Sequence, residues 1–377
     1  MSGRTNTVWQ RWAKVPQVAP HVAPHVAPRV HAGLCALLLS LCATGCSGKK
    51  FASYVVKTPN YGRPAHALTG RGGPEMGGTT IDYELLIPVG PPTALMSVWI
   101  IDPSNEVIVD EDDETPVFGI PGGGERKLRT PHSTVVLVHG FHGNKGQYHM
   151  LVWARALAIR GYRAVLVDLR GHGRSTGDWA TYGPQEARDI SQVIDALQGG
   201  GLLVGGLGYV GFSYGGTVGL HLAAIDDRVD AVVGVAPFSN MRTVVPEFAR
   251  GWVGWVVDLF PDGVIHGAVD AAGDLAGFDP DAADARPLIA GDDTPVLLLH
   301  GEDDRLVQPK HSLELAKASG GNATVLILGG FRHATLGVRK SRPVRDAVYH
   351  WLDMHLDARA AATPEPDAGG DPGYNPE

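Results

Sequence analysis

The chain is 377 residues long, 44% hydrophobic and 19% charged, with 32 basic against 40 acidic side chains. That length and apolar content suffice for one sizeable core, and an acidic balance without basic patches excludes a nucleic-acid partner. All three cysteines (Cys35, Cys42 and Cys46) lie early, so the rest of the chain holds neither a disulfide framework nor a cysteine nucleophile.

The first 45 residues hold Arg4, Arg11, Lys14 and Arg29 and no acid. Val-Ala-Pro-His repeats between Val18 and Val30 lead into an apolar run, Ala32 to Ala43, too short to span a bilayer but of the length of a signal-peptide core. The run ends in Ala43-Thr44-Gly45-Cys46-Ser47-Gly48, which resembles a bacterial lipoprotein signal, with Ala43 where that family prefers leucine. The resemblance implies a signal peptide over 1–45, a lipidated Cys46 as mature N-terminus and a membrane-anchored protein of the cell envelope. Ser47 rather than an aspartate then points to the outer membrane if the cell has one. The alternatives are a non-lipidated signal cleaved nearby, giving a secreted or periplasmic protein, and a start codon assigned too early. Residues 46–78, rich in Gly, Pro and Lys, read as a flexible tether.

Ile81 to Pro88 and Ala94 to Asp102 alternate as two antiparallel leading strands, and Ser104 to Arg129, with its acidic run Asp110 to Glu114, reads as a solvated loop region with room for one short strand. Val135 to Val138 is a third strand, Tyr148 to Ile159 a helix, Ala164 to Asp168 a fourth strand and Pro184 to Leu197 a helix. The glycines of Gly199-Gly200-Gly201 and Gly205-Gly206 match no phosphate-binding pattern and read as a connection into the fifth strand, Leu207 to Val210. That strand enters Gly211-Phe212-Ser213-Tyr214-Gly215, and Thr217 to Ile225 continues as a helix. A G-x-S-x-G between strand and helix puts the serine on a tight, strained turn with its hydroxyl exposed above the sheet. Side chains at Gly211 or Gly215 would collide with the neighbouring strand or helix.

Val232 to Val235 is a sixth strand. Phe238 to Asp293 is an insertion of more than fifty residues in which Phe248, Trp252, Trp255, Val256 and Leu259 recur at helical spacing. Those aromatics read as core packing, an acyl pocket or a membrane contact. Thr294 to Gly301 is a buried strand ending in the acidic loop Glu302 to Val307, and Ala323 to Leu328 is the last strand, followed by Gly329-Gly330-Phe331-Arg332-His333. The closing helix is Arg342 to His355, and residues 360–377 read as a disordered tail.

A serine hydroxyl needs a histidine base and a carboxylate to orient that base, in the chain order serine, acid, histidine for a nucleophile elbow of this kind. From about Thr134 to Leu356 the chain resembles an α/β-hydrolase of the serine aminopeptidase and monoacylglycerol-lipase-like branch. Four motifs carry this: His139-Gly140, the run Asp168-Leu169-Arg170-Gly171-His172-Gly173-Arg174-Ser175, the serine elbow, and His300-Gly301-Glu302-Asp303-Asp304. The resemblance implies an α/β fold with a mostly parallel eight-stranded sheet over 79–359 and a helical cap, about 238–293, after strand six. It implies Ser213 as nucleophile, His333 as base and Asp304 as acid (with Asp303 its neighbouring alternative), and the backbone N–H groups of Phe141 and Tyr214 as oxyanion hole.

The histidines His139, His142, His172 and His300 read as structural turn residues, and no zinc-type spacing is present, so neither a metal nor a cofactor is expected. His221 reads as a packed helix residue, and Asp168 as a brace for its own loop. The expected activity is hydrolysis of carboxylic esters with an apolar acyl or alcohol part. The alternatives are an aminopeptidase, with Asp258, Asp262, Asp270 or Asp274 meeting the substrate amine, and a non-catalytic cell-surface binding module.

Overall fold

The apolar runs become strands because each presents its side chains alternately to two buried faces. The computed structural model describes residues 47–63, 80–110, 117–253, 262–337 and 342–362. Its strands are β1 (Tyr83–Val89), β2 (Ala94–Ile101), β3 (Val107–Asp110), β4 (Val117–Gly119), β5 (Ser133–Val138), β6 (Tyr162–Val167), β7 (Leu207–Phe212), β8 (Val229–Val235), β9 (Val296–Gly301) and β10 (Ala323–Leu328). β3 and β4 pair on their own, where sequence reasoning allowed one strand; the other eight form one sheet in the order β1-β2-β6-β5-β7-β8-β9-β10. β2 runs antiparallel to both β1 and β6, and every pair from β6 to β10 is parallel. In β5, Val136 and Val138 point to one core and Val135 and Leu137 to the other; β9 divides its residues in the same way. A sheet buried on both faces needs such runs, and each fully buried Val or Leu is worth about 1.5–3 kcal/mol.

Helices α2 (Tyr148–Ile159), α3 (Pro184–Gly199) and α4 (Tyr214–Ala223) connect the parallel strands. Side chains of α3 and α4 pack into one core and those of α2 into the other. The strand order reverses between β5 and β7, so the loops after these two strands diverge and leave a crevice at their carboxyl ends, the place where open α/β sheets bind ligands. Between β8 and β9 lie α5 (Met241–Val253), α6 (Asp262–Ala276) and α7 (Arg286–Ala290). After β9 come α8 (Lys310–Ala318), the short α9 (His333–Leu336) and α10 (Arg342–Ala362), whose Val344, Val348, Leu352 and Leu356 are fully buried. This is the α/β-hydrolase fold. Phe248 packs against the core, while the side chains of the rest of the aromatic stripe, from Trp252 to Leu259, lie outside the described residues.

Residues 47–63, placed in a flexible tether from their composition, form a helix, α1 (Ser47–Val56), followed by a bridge from Lys57 to Trp179 and by turns over 59–62. Phe51, Ala52, Val55 and Val56 make an apolar stripe at helical spacing that packs into the core, and Tyr182 Oη donates to Val55 O at 2.8 Å. Beyond the helix, Asn60 Nδ2 donates to Gly173 O and Ser175 O. A short amphipathic stretch is averaged away in a Gly- and Pro-rich window. The expected signal peptide and Cys46, residues 64–79, and the tail from 363 lie outside the described residues. Among the described residues no helix is long and apolar enough to cross a membrane.

Candidate active site

Ser213 stands between β7 and α4 with φ of 53° and ψ of −113°, a left-handed backbone that a non-glycine residue adopts only when its surroundings enforce it. The enforcement is visible. Ser213 N donates to Val235 O at 2.6 Å, and Ser213 O accepts from Gly216 N and Thr217 N. Any Cβ at Gly211 would lie 2.2 Å from Gly215 O, and one at Gly215 would lie 2.7 Å from both His139 O and Val138 O. The two glycines therefore let helix, strand and the loop after β5 meet at backbone distance.

The loops after β9 and β10 bring two more groups to this serine. His333 Nε2 lies 3.0 Å from Ser213 Oγ, and His333 Nδ1 lies 2.7 Å from Asp304 Oδ2. Asp304 is buried, and its Oδ1 accepts from Leu306 N at 2.9 Å and Val307 N at 3.0 Å. Burial opposes its charge, but the hydrogen bonds from His300, His333 and Val307 outweigh burial and hold the carboxyl well below its usual range. It therefore stands ionised beside Nδ1, which fixes the imidazole with its proton on Nδ1 and a free lone pair on Nε2, toward Ser213. Asp303 is exposed, and its backbone N–H donates to Phe331 O, stitching the loop after β9 to the loop that carries His333. Trp153 Nε1 donates to Gly337 O from the other side.

Phe141 and Tyr214 flank the serine in the two diverging loops. The Tyr214 N–H is at the first position of α4, where no intrahelical acceptor exists. Among the described residues the Phe141 N–H donates to no protein acceptor either. The two rings meet edge-on with centroids 5.2 Å apart. The Phe141 carbonyl is held by His172 Nε2 at 2.5 Å.

His139 and His300 are held by protein groups. His139 Nε2 accepts from Leu169 N, so its proton sits on Nδ1 and donates to Gly140 O at 2.7 Å; burial and the nearby His172 lower its pKa to about 3. His300 Nε2 donates to Val307 O at 2.8 Å, while Nδ1 meets Ser312 Oγ at 2.7 Å. Burial likewise lowers the pKa of His221, to about 4, inside α4. Among the described residues no group of three or more His, Cys, Asp or Glu could hold a metal ion.

Asp168 braces more than its own loop. Its carboxylate accepts from Lys145 N at 2.7 Å, Lys145 Nζ at 2.5 Å and Arg174 N at 2.9 Å. Lys145 is fully buried, donates to Ser97 Oγ and lies 4.4 Å from the centroid of the Trp99 ring. Burial lowers its pKa, and Asp168 opposes that shift. The pair thus ties the loop of Phe141 to the end of β6. No sequence signal marked Lys145, because an isolated lysine in a Gly-rich loop reads as solvated.

A family model described as the alpha/beta hydrolase fold matches residues 133–283. Esterase YbfF of Escherichia coli is 32% identical over 105 residues, 28% of this chain, and the chain spans only 38% of that esterase's length. A monoacylglycerol lipase of Mycolicibacterium smegmatis is 25% identical over 264 residues, covering 60% of this chain and 90% of the lipase. The solved structure of the Pyrococcus furiosus esterase Pf2001 superposes with a TM-score of 0.55 over 80% of this chain and 98% of that one, at 17% identity, a likeness of fold. Together the sequence matches support the α/β-hydrolase superfamily.

Proposed function

We propose that this protein is a serine hydrolase that cleaves carboxylic esters through an acyl-enzyme on Ser213. The observation that carries the proposal is the position of His333, which bridges Ser213 Oγ at 3.0 Å and Asp304 Oδ2 at 2.7 Å. Ser213 Oγ adds to the ester carbonyl carbon as His333 Nε2 takes its proton. The negative carbonyl oxygen of the tetrahedral intermediate is met by the N–H groups of Phe141 and Tyr214, and each such donor is worth about 3–4 kcal/mol. Collapse breaks the bond to the alcohol, which leaves with the proton from His333. Water then repeats the cycle on the acyl-enzyme, restoring Ser213. Asp304 stays ionised throughout and stabilises the transient imidazolium.

Removal of N-terminal residues stands as the second reading, and one of its four candidate aspartates, Asp270, is already engaged while Asp274 is exposed. An aminopeptidase needs an uncompensated carboxylate for the substrate amine. Asp270 is instead engaged by Arg242 at 2.7 Å, which also holds Asp281 at 2.5 Å. The sequence further supports delivery to the cell envelope with lipid on Cys46, and α1 begins at the next residue. Turnover of p-nitrophenyl esters against aminoacyl-p-nitroanilides tests the reaction class. Ester turnover that Ser213→Ala abolishes is expected; turnover of the anilides alone would assign the peptidase instead.

A further inference from the structure

The insertion between β8 and β9 reaches the acid of the site through one buried side chain. Glu247 lies in α5, one residue after Pro246, and is 4% exposed. Its Oε2 accepts from Gln308 N at 3.2 Å and from His311 Nε2 at 3.1 Å, and its Oε1 lies 2.5 Å from Lys310 Nζ. All three partners belong to the stretch that leaves Asp304 and enters α8. Gln308 directly follows Val307, whose N–H holds Asp304 Oδ1. The turn from Asp304 to His311 is therefore fastened at its start by the Asp304 carboxylate and at its far side by Glu247.

The network has one consistent set of protons. Ser239 N donates to His311 Nδ1 at 3.1 Å, so the imidazole carries its proton on Nε2 and donates to Glu247. Ser239 Oγ in turn donates to Glu314 Oε2 at 2.8 Å. Ser239, His311 and Glu247 thus line up like a nucleophile, base and acid, but Ser239 and His311 are fully buried and the serine proton is committed to Glu314. This cluster is a clamp. Nearby, α5 lies close to the same loop again, where a Cβ at Gly251 would be 3.1 Å from Leu306 Cδ1.

We propose that Glu247 is a positioning residue of the acid loop, through which the placement of Asp304, and with it the rate of acylation, depends on α5 being seated on the body. The proposal rests on the reading of Ser213, His333 and Asp304 as the reacting groups. A buried carboxylate that accepts from a backbone N–H and an imidazole fixes a loop in two directions, and a loop freed to drift by about 1 Å costs on the order of 10²-fold in rate.

The test measures kcat and KM for a p-nitrophenyl ester, and the rate of labelling by a fluorophosphonate, in full-length wild type, Glu247→Ala and Glu247→Gln. Glu247→Ala is expected to lower kcat by about 10- to 100-fold with KM within about twofold. The glutamine variant keeps an oxygen for Gln308 N and His311 Nε2, while exposed Lys310 swings away, so kcat should return to within about fivefold of wild type. In an Asp304→Asn background, Glu247→Ala should change the rate by less than about twofold, because no carboxylate remains for the loop to place. If Glu247→Ala does not fold, Glu247→Met, of similar volume and without an acceptor, carries the same expectations. A lowered melting temperature with unchanged kcat per titrated site, or an undiminished loss in the Asp304→Asn background, overturns the proposal. A wild type that the probe fails to label removes the Ser213 reading itself; a labelled wild type matched in rate by Glu247→Ala removes only the role of Glu247.

Discussion

Replacing Asp304 by asparagine changes one atom and reverses the sense of a hydrogen bond. Oδ1 accepts from two backbone N–H groups, those of Leu306 and Val307, so the amide oxygen must take that position to keep them paired. The amide nitrogen then stands where Oδ2 meets His333 Nδ1 at 2.7 Å. It donates to Nδ1, which drives the imidazole proton onto Nε2, toward Ser213 Oγ. His333 becomes a donor where a base is needed. The expected loss in kcat is about 10⁴-fold, or about 5.4 kcal/mol of transition-state stabilisation. Steady-state hydrolysis of a p-nitrophenyl ester reads the loss, with circular dichroism showing that the variant is folded. Asp303→Asn, at an exposed side chain, should stay within about threefold of wild type. A loss below tenfold for Asp304→Asn, or the larger loss at position 303, would refute the reasoning.

The same carboxylate links stability to pH: its pKa is depressed on folding, so its contribution is present above the unfolded value of about 3.9 and is lost as the pH falls through the lower folded value. Thermal melts of wild type and Asp304→Asn should therefore draw together as the pH falls below about 4, and a gap that widens in acid contradicts the linkage. Lys145→Met strands Asp168 as an unpaired buried charge and should destabilise the fold by about 3–5 kcal/mol in urea titrations, whereas a loss under about 1 kcal/mol would mean that water or a rearranged loop reaches the site. Gly215→Ala must push apart the backbones of β5 and α4, so it should leave no ester turnover even where soluble protein is recovered; wild-type kcat in that variant would contradict the close approach. Metabolic labelling with a fatty acid should mark the wild type and not Cys46→Ala, and equal labelling of both would remove the lipid anchor.

The strands of the main sheet and the serine elbow are legible in the sequence because they rest on local rules: alternation for the two leading strands, continuous apolar runs for the buried parallel ones, and small residues around a strained turn for Ser213. The preference for Asp304 over Asp303 comes from the family resemblance, and in the structure Asp304 is buried against His333 while Asp303 is exposed. What stayed hidden depends on partners distant along the chain. Lys145 meets Asp168, and Glu247 meets His311, only when the insertion and the loops fold onto one another. Helix α8 is not legible in the sequence, since its buried face carries His311 and Ser312 beside Leu315, and polar residues at core positions erase the helical period of hydrophobicity. They are buried there because Glu247, Ser239 and His300 meet them as hydrogen-bond partners.

The central claim is that Ser213 is an activated nucleophile. The most direct measurement is mass spectrometry of the intact protein and of its peptides after exposure to a fluorophosphonate. The account predicts a single adduct, on the peptide containing Ser213, absent from Ser213→Ala and strongly slowed in a variant lacking the His333 imidazole. An unmodified wild type, or an adduct on any other serine, would contradict it.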